Sequence, residues 1–239
     1  MVEAGPSTIL DSRSPIPGAS RAIGIFGGTF APIHNGHLRL ALELRERLQL
    51  DRVHLIPAGE PPHRERPTVP AQRRLDWVRL ACGDEPGLIA DDREVRRGGR
   101  SYTYDTLAGL RTEWPEASIV LLVGDDAANQ FHTWHRWQEI PDLAHLVFVQ
   151  RPSEPSAPAP PLQALLRRRR ATDPSAFGRQ PAGLFMAAQL PPLAISSTRI
   201  RRLLAAGRSV RGLLPQAVID SFTPEDLGNL THDDLPASD

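Results

Sequence analysis

The stretch Ala22-Ile23-Gly24-Ile25-Phe26-Gly27-Gly28-Thr29-Phe30-Ala31-Pro32-Ile33-His34-Asn35-Gly36-His37 decides how the rest of the chain reads. The β-type run Ala22 to Phe26 passes directly into a glycine turn, and a helical pattern starts near Leu38, with Leu40, Leu44 and Leu48 repeating at four. Strand, tight turn and helix in that order make the turn a ligand loop. Gly27 and Gly28 let backbone approach a ligand with no Cβ between them, and the helix start offers free N–H groups and a positive dipole end to an anion. The design suits phosphate. It is neither the G-x-G-x-x-G fingerprint nor a Walker loop, because the spacing differs and no lysine follows. His34 and His37 sit three apart at the helix start, within reach of one bound phosphate. The blander alternative is a tight turn with two surface histidines. No third His or Cys lies nearby in sequence, so metal ligation by this pair is not expected.

Working outward, further β-type runs at Val53 to Pro57, Ile119 to Val123 and Leu146 to Gln150 alternate with helical patterns. Leu75, Val78 and Cys82 form one apolar stripe, and Leu107, Leu110 and Trp114 another. Strand and helix in alternation predict an α/β fold: a Rossmann-like, doubly wound parallel sheet with helices on both faces. Ile119 to Val123 is apolar on both faces of its pleat, which predicts a mid-sheet strand. Residues 21–222 read as a single domain. Five prolines between Pro152 and Pro161 mark an insertion, about 152–161, before a short helix near Leu162 to Arg170. Residues 1–20 and 223–239 lack a periodic apolar pattern and read as flexible tails, the second one acidic.

Composition removes several functions. The chain has 239 residues, with 28 acidic groups balanced by 28 basic ones. Every basic residue is arginine, so no Schiff base, lysyl-AMP intermediate or P-loop lysine is available. The single Cys82 permits no intrachain disulfide and suits a reducing, cytoplasmic setting. No apolar run is long enough for a membrane span, and the first twenty residues lack the apolar centre of a signal peptide. Only Arg167 to Arg170 hints at nucleic acid, and such a run is usually a solvated helix face, so no nucleic-acid partner is expected. Oligomeric state is not legible.

A second motif, Ser196-Ser197-Thr198-Arg199-Ile200-Arg201, follows the apolar stretch Leu193 to Ile195 and opens a helix with the stripe Ile200, Leu203, Leu204. Helix capping needs only one hydroxyl. Three in a row, with an arginine one turn in, point to a second anion site. Trp134 reads as a loop residue beside Thr133 and His135, suited to stacking on a flat ring, while Trp77 and Trp114 read as core.

These two motifs, G-G-T-F-x-P-x-H-x-G-H and I-S-S-T-x-I-R, resemble the H-x-G-H nucleotidyltransferase superfamily. Between them, Ile56-Pro57, Pro61-Pro62-His63-Arg64, Arg100-Ser101-Tyr102-Thr103 and Val123-Gly124-Asp125-Asp126 with Trp134 resemble the bacterial nicotinate mononucleotide adenylyltransferases, over about residues 21–222. The resemblance implies transfer of AMP from ATP to nicotinate mononucleotide, giving deamido-NAD and pyrophosphate, with Mg²⁺ carried on the ATP phosphates. It implies that Gly27, Gly28, Thr29, Phe30, His34 and His37 bind ATP, His37 being the chief stabiliser of the transition state. Ser197, Thr198 and Arg201 would hold the outgoing pyrophosphate, Asp126 a ribose hydroxyl, and Thr103, Trp134 and His135 the pyridine ring. His63 and Arg64 would belong to a mobile substrate-binding segment. The family usually carries aspartate where this chain has Ala31. The motifs alone leave open another phosphate acceptor, such as nicotinamide mononucleotide or pantetheine phosphate, or a non-catalytic nucleotide sensor. A phosphate monoester is largely a dianion at neutral pH, so the acceptor needs positioning and charge neutralisation rather than a strong base.

Overall fold

The computed structural model describes residues 22–61, 69–150, 160–190 and 193–232. In chain order they form β1 (Ile23–Gly28), α1 (Asn35–Arg47), β2 (Arg52–Pro57), α2 (Ala71–Cys82), β3 (Leu88–Ala90), α3 (Arg93–Arg97), α4 (Thr103–Glu113), β4 (Ile119–Val123), α5 (Asp125–Asn129), α6 (Ile140–Leu143), β5 (His145–Gln150), α7 (Pro160–Arg168), β6 (Phe185–Gln189), α8 (Ser197–Ala205), α9 (Gln216–Asp220) and α10 (Pro224–His232). The strands make one six-stranded sheet in the order β3-β2-β1-β4-β5-β6, parallel throughout. The chain winds outward from β1 to β3, returns to lay β4 beside β1, and winds out the other way. This is the doubly wound α/β fold that the sequence predicts, and its reversal point lies between β1 and β4.

Register opens a crevice at that point. β1 pairs with β2 as far as Gly28 opposite Pro57. Its pairing with β4 ends at Ile25 opposite Leu121, so Phe26, Gly27 and Gly28 have no β4 partner. Gly24 makes the other side of β1 possible: a Cβ there would lie 2.9 Å from both Leu50 Cδ1 and Val53 Cγ2. The β4 reading holds residue by residue. Val120 and Leu122 join the core that includes Phe26, Leu44 and Trp77, while Ile119, Leu121 and Val123 join that of Leu107, Leu110 and Trp114. Helices therefore cover both faces. Cys82 is buried, and burial pushes its thiol up to about 12, which makes it a core residue.

Four expectations need correction. α1 begins at Asn35, with His34 as its cap, rather than near Leu38. α7 begins at Pro160, because proline is tolerated in a first helical turn. β3 and β6 were not anticipated: both are edge strands, one only three residues long and the other alanine-rich. The fourth is residues 224–232, read as part of a tail, which form α10. Thr223 and Asp226 make a reciprocal cap, Asp226 N–H donating to Thr223 Oγ1 at 3.1 Å and Thr223 N–H to Asp226 Oδ2 at 2.8 Å. Arg73 on α2 grips the same carboxylate, Nε to Oδ1 at 3.0 Å and Nη2 to Oδ2 at 2.7 Å. Residues 1–21, 151–159 and 233–239, where the expected first tail, most of the proline insertion and the end of the chain fall, lie outside the described residues.

Leu230 is 1% exposed. Leu230→Ala is therefore expected to lower unfolding stability by about 2–5 kcal/mol, measured by urea denaturation. An unchanged midpoint would mean that α10 adds nothing to the fold.

Candidate active site

The turn after β1 is shaped by its glycines. A Cβ at Gly28 would lie 2.8 Å from the Phe30 ring, and one at Gly36 would lie 3.0 Å from His34 Nδ1. Phe30 itself holds a positive φ of 51° and is buried. With that space kept free, His34 caps α1 from an extended backbone, and its ring stacks on His37 with centroids 3.6 Å apart and planes 21° from parallel. His34 N–H donates to His37 Nδ1 at 3.2 Å. Because that nitrogen accepts, the neutral His37 ring carries its proton on Nε2 as a donor.

Both imidazoles resist protonation. Burial lowers His34 to about 4, and burial followed by the neighbouring His34 holds His37 well below its ordinary value. The pair is therefore neutral at physiological pH in the unliganded protein. His34 Nδ1 is buried with no hydrogen-bond partner among the described residues.

The start of α8 lies across from this turn and splits its three hydroxyls among three tasks. Ser196 accepts from Arg199 N–H at 3.2 Å and caps the helix. Ser197 Oγ donates to Pro32 O at 3.0 Å. Arg201 reaches Ala31 O through Nη1 at 3.1 Å and Thr198 Oγ1 through Nη2 at 3.4 Å. The carbonyls of Ala31 and Pro32 are thus both held from α8, and the turn is ordered without an aspartate at position 31.

A cavity of about 1030 Å³ joins these features to a third. Gly27, Gly28, Thr29, Phe30, His34, His37, Ser197, Thr198 and Arg201 line one end, and Thr103, Trp134 and His135 line the other. Thr103 opens α4 and lines the second end, where the Tyr102 and His135 rings lie 4.6 Å apart; a helix start carries N–H groups without intrahelical partners. Asp126 falls in α5, directly after β4 at the crevice, but its side chain lies outside the described residues, as do His63 and Arg64 entirely.

Sequence reasoning missed three groups. An apolar arm of the cavity is walled by Val149, Leu190, Leu193 and Ile195. Glu94 also lines the cavity and accepts from Thr106 Oγ1 at 2.6 Å; burial raises its pKa. The third is Arg74, a buried arginine one turn into α2. Nothing local marks these residues, because their meaning comes from what the fold puts beside them.

The family profile described as Cytidylyltransferase-like matches residues 25–203. A protein of Chromohalobacter salexigens named "Probable nicotinate-nucleotide adenylyltransferase" is 48% identical over 198 residues, 82% of this chain and 90% of its own length. One of the same name from Halorhodospira halophila is 46% identical, over 83% of this chain and 91% of its own length. The chain belongs to this family. Among solved structures, the nicotinic acid mononucleotide adenylyltransferase of Plasmodium falciparum, complexed with NaAD, shares the fold at a TM-score of 0.60 and 13% identity, over 90% of this chain and 97% of its own. Family membership covers both motifs, since the profile runs from β1 into α8.

Arg201→Lys is expected to weaken ATP binding at least tenfold, about 1.4 kcal/mol, because an ammonium cannot span Ala31 O and Thr198 Oγ1 as the guanidinium does. Titration calorimetry with ATP measures this. An unchanged Kd would reduce Arg201 to a helix-packing residue.

Proposed function

We propose that this chain transfers the adenylyl group of Mg-ATP to the phosphate of nicotinate mononucleotide, yielding deamido-NAD and pyrophosphate in NAD biosynthesis. One observation carries the reading: a single cavity holds a neutral, stacked histidine pair between two helix starts and reaches a third helix start beside an aromatic wall. The family's shared name agrees with it. A cytoplasmic setting is part of the proposal, in keeping with one buried, unreactive thiol. No helix among the described residues is long and apolar enough to cross a membrane.

In this reading the triphosphate lies between the starts of α1 and α8, with Thr29, His34, Thr198 and Arg201 around it and the adenine ring in the apolar arm. Mg²⁺ would arrive with the substrate, carried on the ATP phosphates. The pyridine ring lies against Trp134 and His135, and its carboxylate accepts from the N–H groups that open α4. Asp126, His63 and Arg64 keep the ribose and substrate-segment roles that the family likeness implies.

An oxygen of the acceptor phosphate then attacks the α-phosphorus in line. The new P–O bond forms as the bond to the bridging oxygen breaks, and that electron pair leaves on pyrophosphate. No proton moves, which explains a site without a strong base. His37 Nε2–H donates to the oxygens of the transferring phosphoryl group, where charge builds in the transition state. Its low pKa serves this role, because a neutral donor is already correctly protonated at neutral pH.

The primary test is pyrophosphate release from ATP with a panel of acceptor mononucleotides, in which only nicotinate mononucleotide is expected to support rapid turnover. His37→Ala is expected to lower kcat about a hundredfold or more, a loss of ~3 kcal/mol, in a variant that still folds. Near wild-type turnover in a folded variant would remove His37 from the reaction. The acid substrate is expected to exceed nicotinamide mononucleotide by on the order of a hundredfold in kcat/KM. An amide NH₂ placed against backbone donors leaves buried polar groups unpaired at roughly 1–3 kcal/mol each. Equal values on one preparation would refute a donor-lined carboxylate site.

A further inference from the structure

Arg74 is 1% exposed, and its three assigned hydrogen bonds all go to backbone carbonyls. Nε donates to Val69 O at 3.2 Å, Nη1 to Thr29 O at 2.6 Å and Nη2 to Gly59 O at 2.9 Å. Desolvation lowers its pKa to about 10, so it stays charged at neutral pH. Burying a cation is expensive, and the nearby carboxylate of Glu94 offsets part of that cost. What the charge achieves is geometric: one planar fork ties the phosphate turn at Thr29 to Gly59, which follows β2.

Gly59 carries the connection onward. Its N–H donates to Ser101 Oγ at 2.8 Å, and Ser101 stands two residues ahead of α4. Glu94, buried beside this crossing, separately accepts from Thr106 Oγ1 at 2.6 Å, inside α4. A Cβ on Gly59 would lie 2.9 Å from Glu94 O, so the close approach requires glycine. Ser101 N–H also donates to Glu60 O at 2.8 Å, bracing the same crossing. A line of hydrogen bonds thus runs from Thr29 through Arg74 and Gly59 to Ser101, which leads into α4, linking the two ends of the cavity.

We infer that Arg74 is a positioning residue, which through Gly59 and Ser101 sets the spacing between the phosphate turn and the start of α4 and so holds donor and acceptor in line. This rests on the assignment of the two cavity ends proposed above. Each end keeps its own ligand contacts without Arg74; what is lost is their mutual register. A reaction between two bound partners is sensitive to that register, and about 1 Å of misplacement can cost ~100-fold.

The test compares wild type, Arg74→Lys, Ser101→Ala and the double variant. The first substitution keeps the charge and loses the fork; the second cuts the line at its far end. Each single variant is expected to lower kcat per active site at least tenfold, while the Kd of ATP and that of nicotinate mononucleotide, measured separately by calorimetry, stay within about threefold of wild type. The double variant is expected to be no more than about twofold below the weaker single one, because both break one line. Losses confined to Kd or KM, multiplicative losses, or wild-type kcat in folded variants would each overturn the inference. If Arg74→Lys does not fold, Ser101→Ala decides by the same criteria. A wild type inactive with nicotinate mononucleotide would instead overturn the proposed function, so the two failures are distinguishable.

Discussion

The turn after β1 takes its shape from backbone carbonyls that are held by donors elsewhere in the chain. Each of the four carbonyls that matters is held by a donor from elsewhere: Gly28 O by Ala58 N–H, Thr29 O by Arg74, Ala31 O by Arg201 and Pro32 O by Ser197. Those donors come from the end of β2, from α2 and from α8. The phosphate turn is thus assembled by the tertiary structure as much as by its own glycines. An aspartate at position 31 is one way to order such a turn; backbone ties from α8 are another.

Charge at the site follows from the same enclosure. Two stacked histidines beside the cavity remain neutral because desolvation outweighs everything else acting on them. Hydroxyls, a fixed arginine fork and three helix starts supply partial or delocalised positive charge around them. Such groups stabilise spreading phosphate charge with little reorganisation when the reaction occurs. The opening between β1 and β4 makes room for them, since two strands that stop pairing three residues early leave space for a ligand at their carboxyl ends.

Elements with a strong local signal were legible from the chain. β1, β2, β4 and β5 announced themselves as apolar runs, and α1, α2 and α4 as stripes at three and four. The edge strands did not: β3 has three residues, and β6, Phe-Met-Ala-Ala-Gln, carries little β-propensity of its own. α10 shows a readable signal passed over, because Thr223-Pro224-Glu225-Asp226 carries the spacing of a capping box with proline at the first helical position. Its low apolar content outweighed that cue, although Leu230 and the Arg73–Asp226 contact anchor it.

By itself the sequence determined the fold class, the ligand loop at the first strand and the second anion motif, because each depends on residues adjacent in the chain. Glycines permit a turn, hydroxyls cap a helix, and periodicity sets which face is buried, all within a few residues. Only the tertiary structure decided that Arg74, Glu94 and the apolar arm belong to the site, and that both histidines are neutral. Those properties depend on desolvation and on contacts such as Arg74 with Thr29 or Arg201 with Ala31, whose partners lie 45 and 170 positions apart. No local pattern encodes such a contact, since its energy exists only once the chain has closed around it.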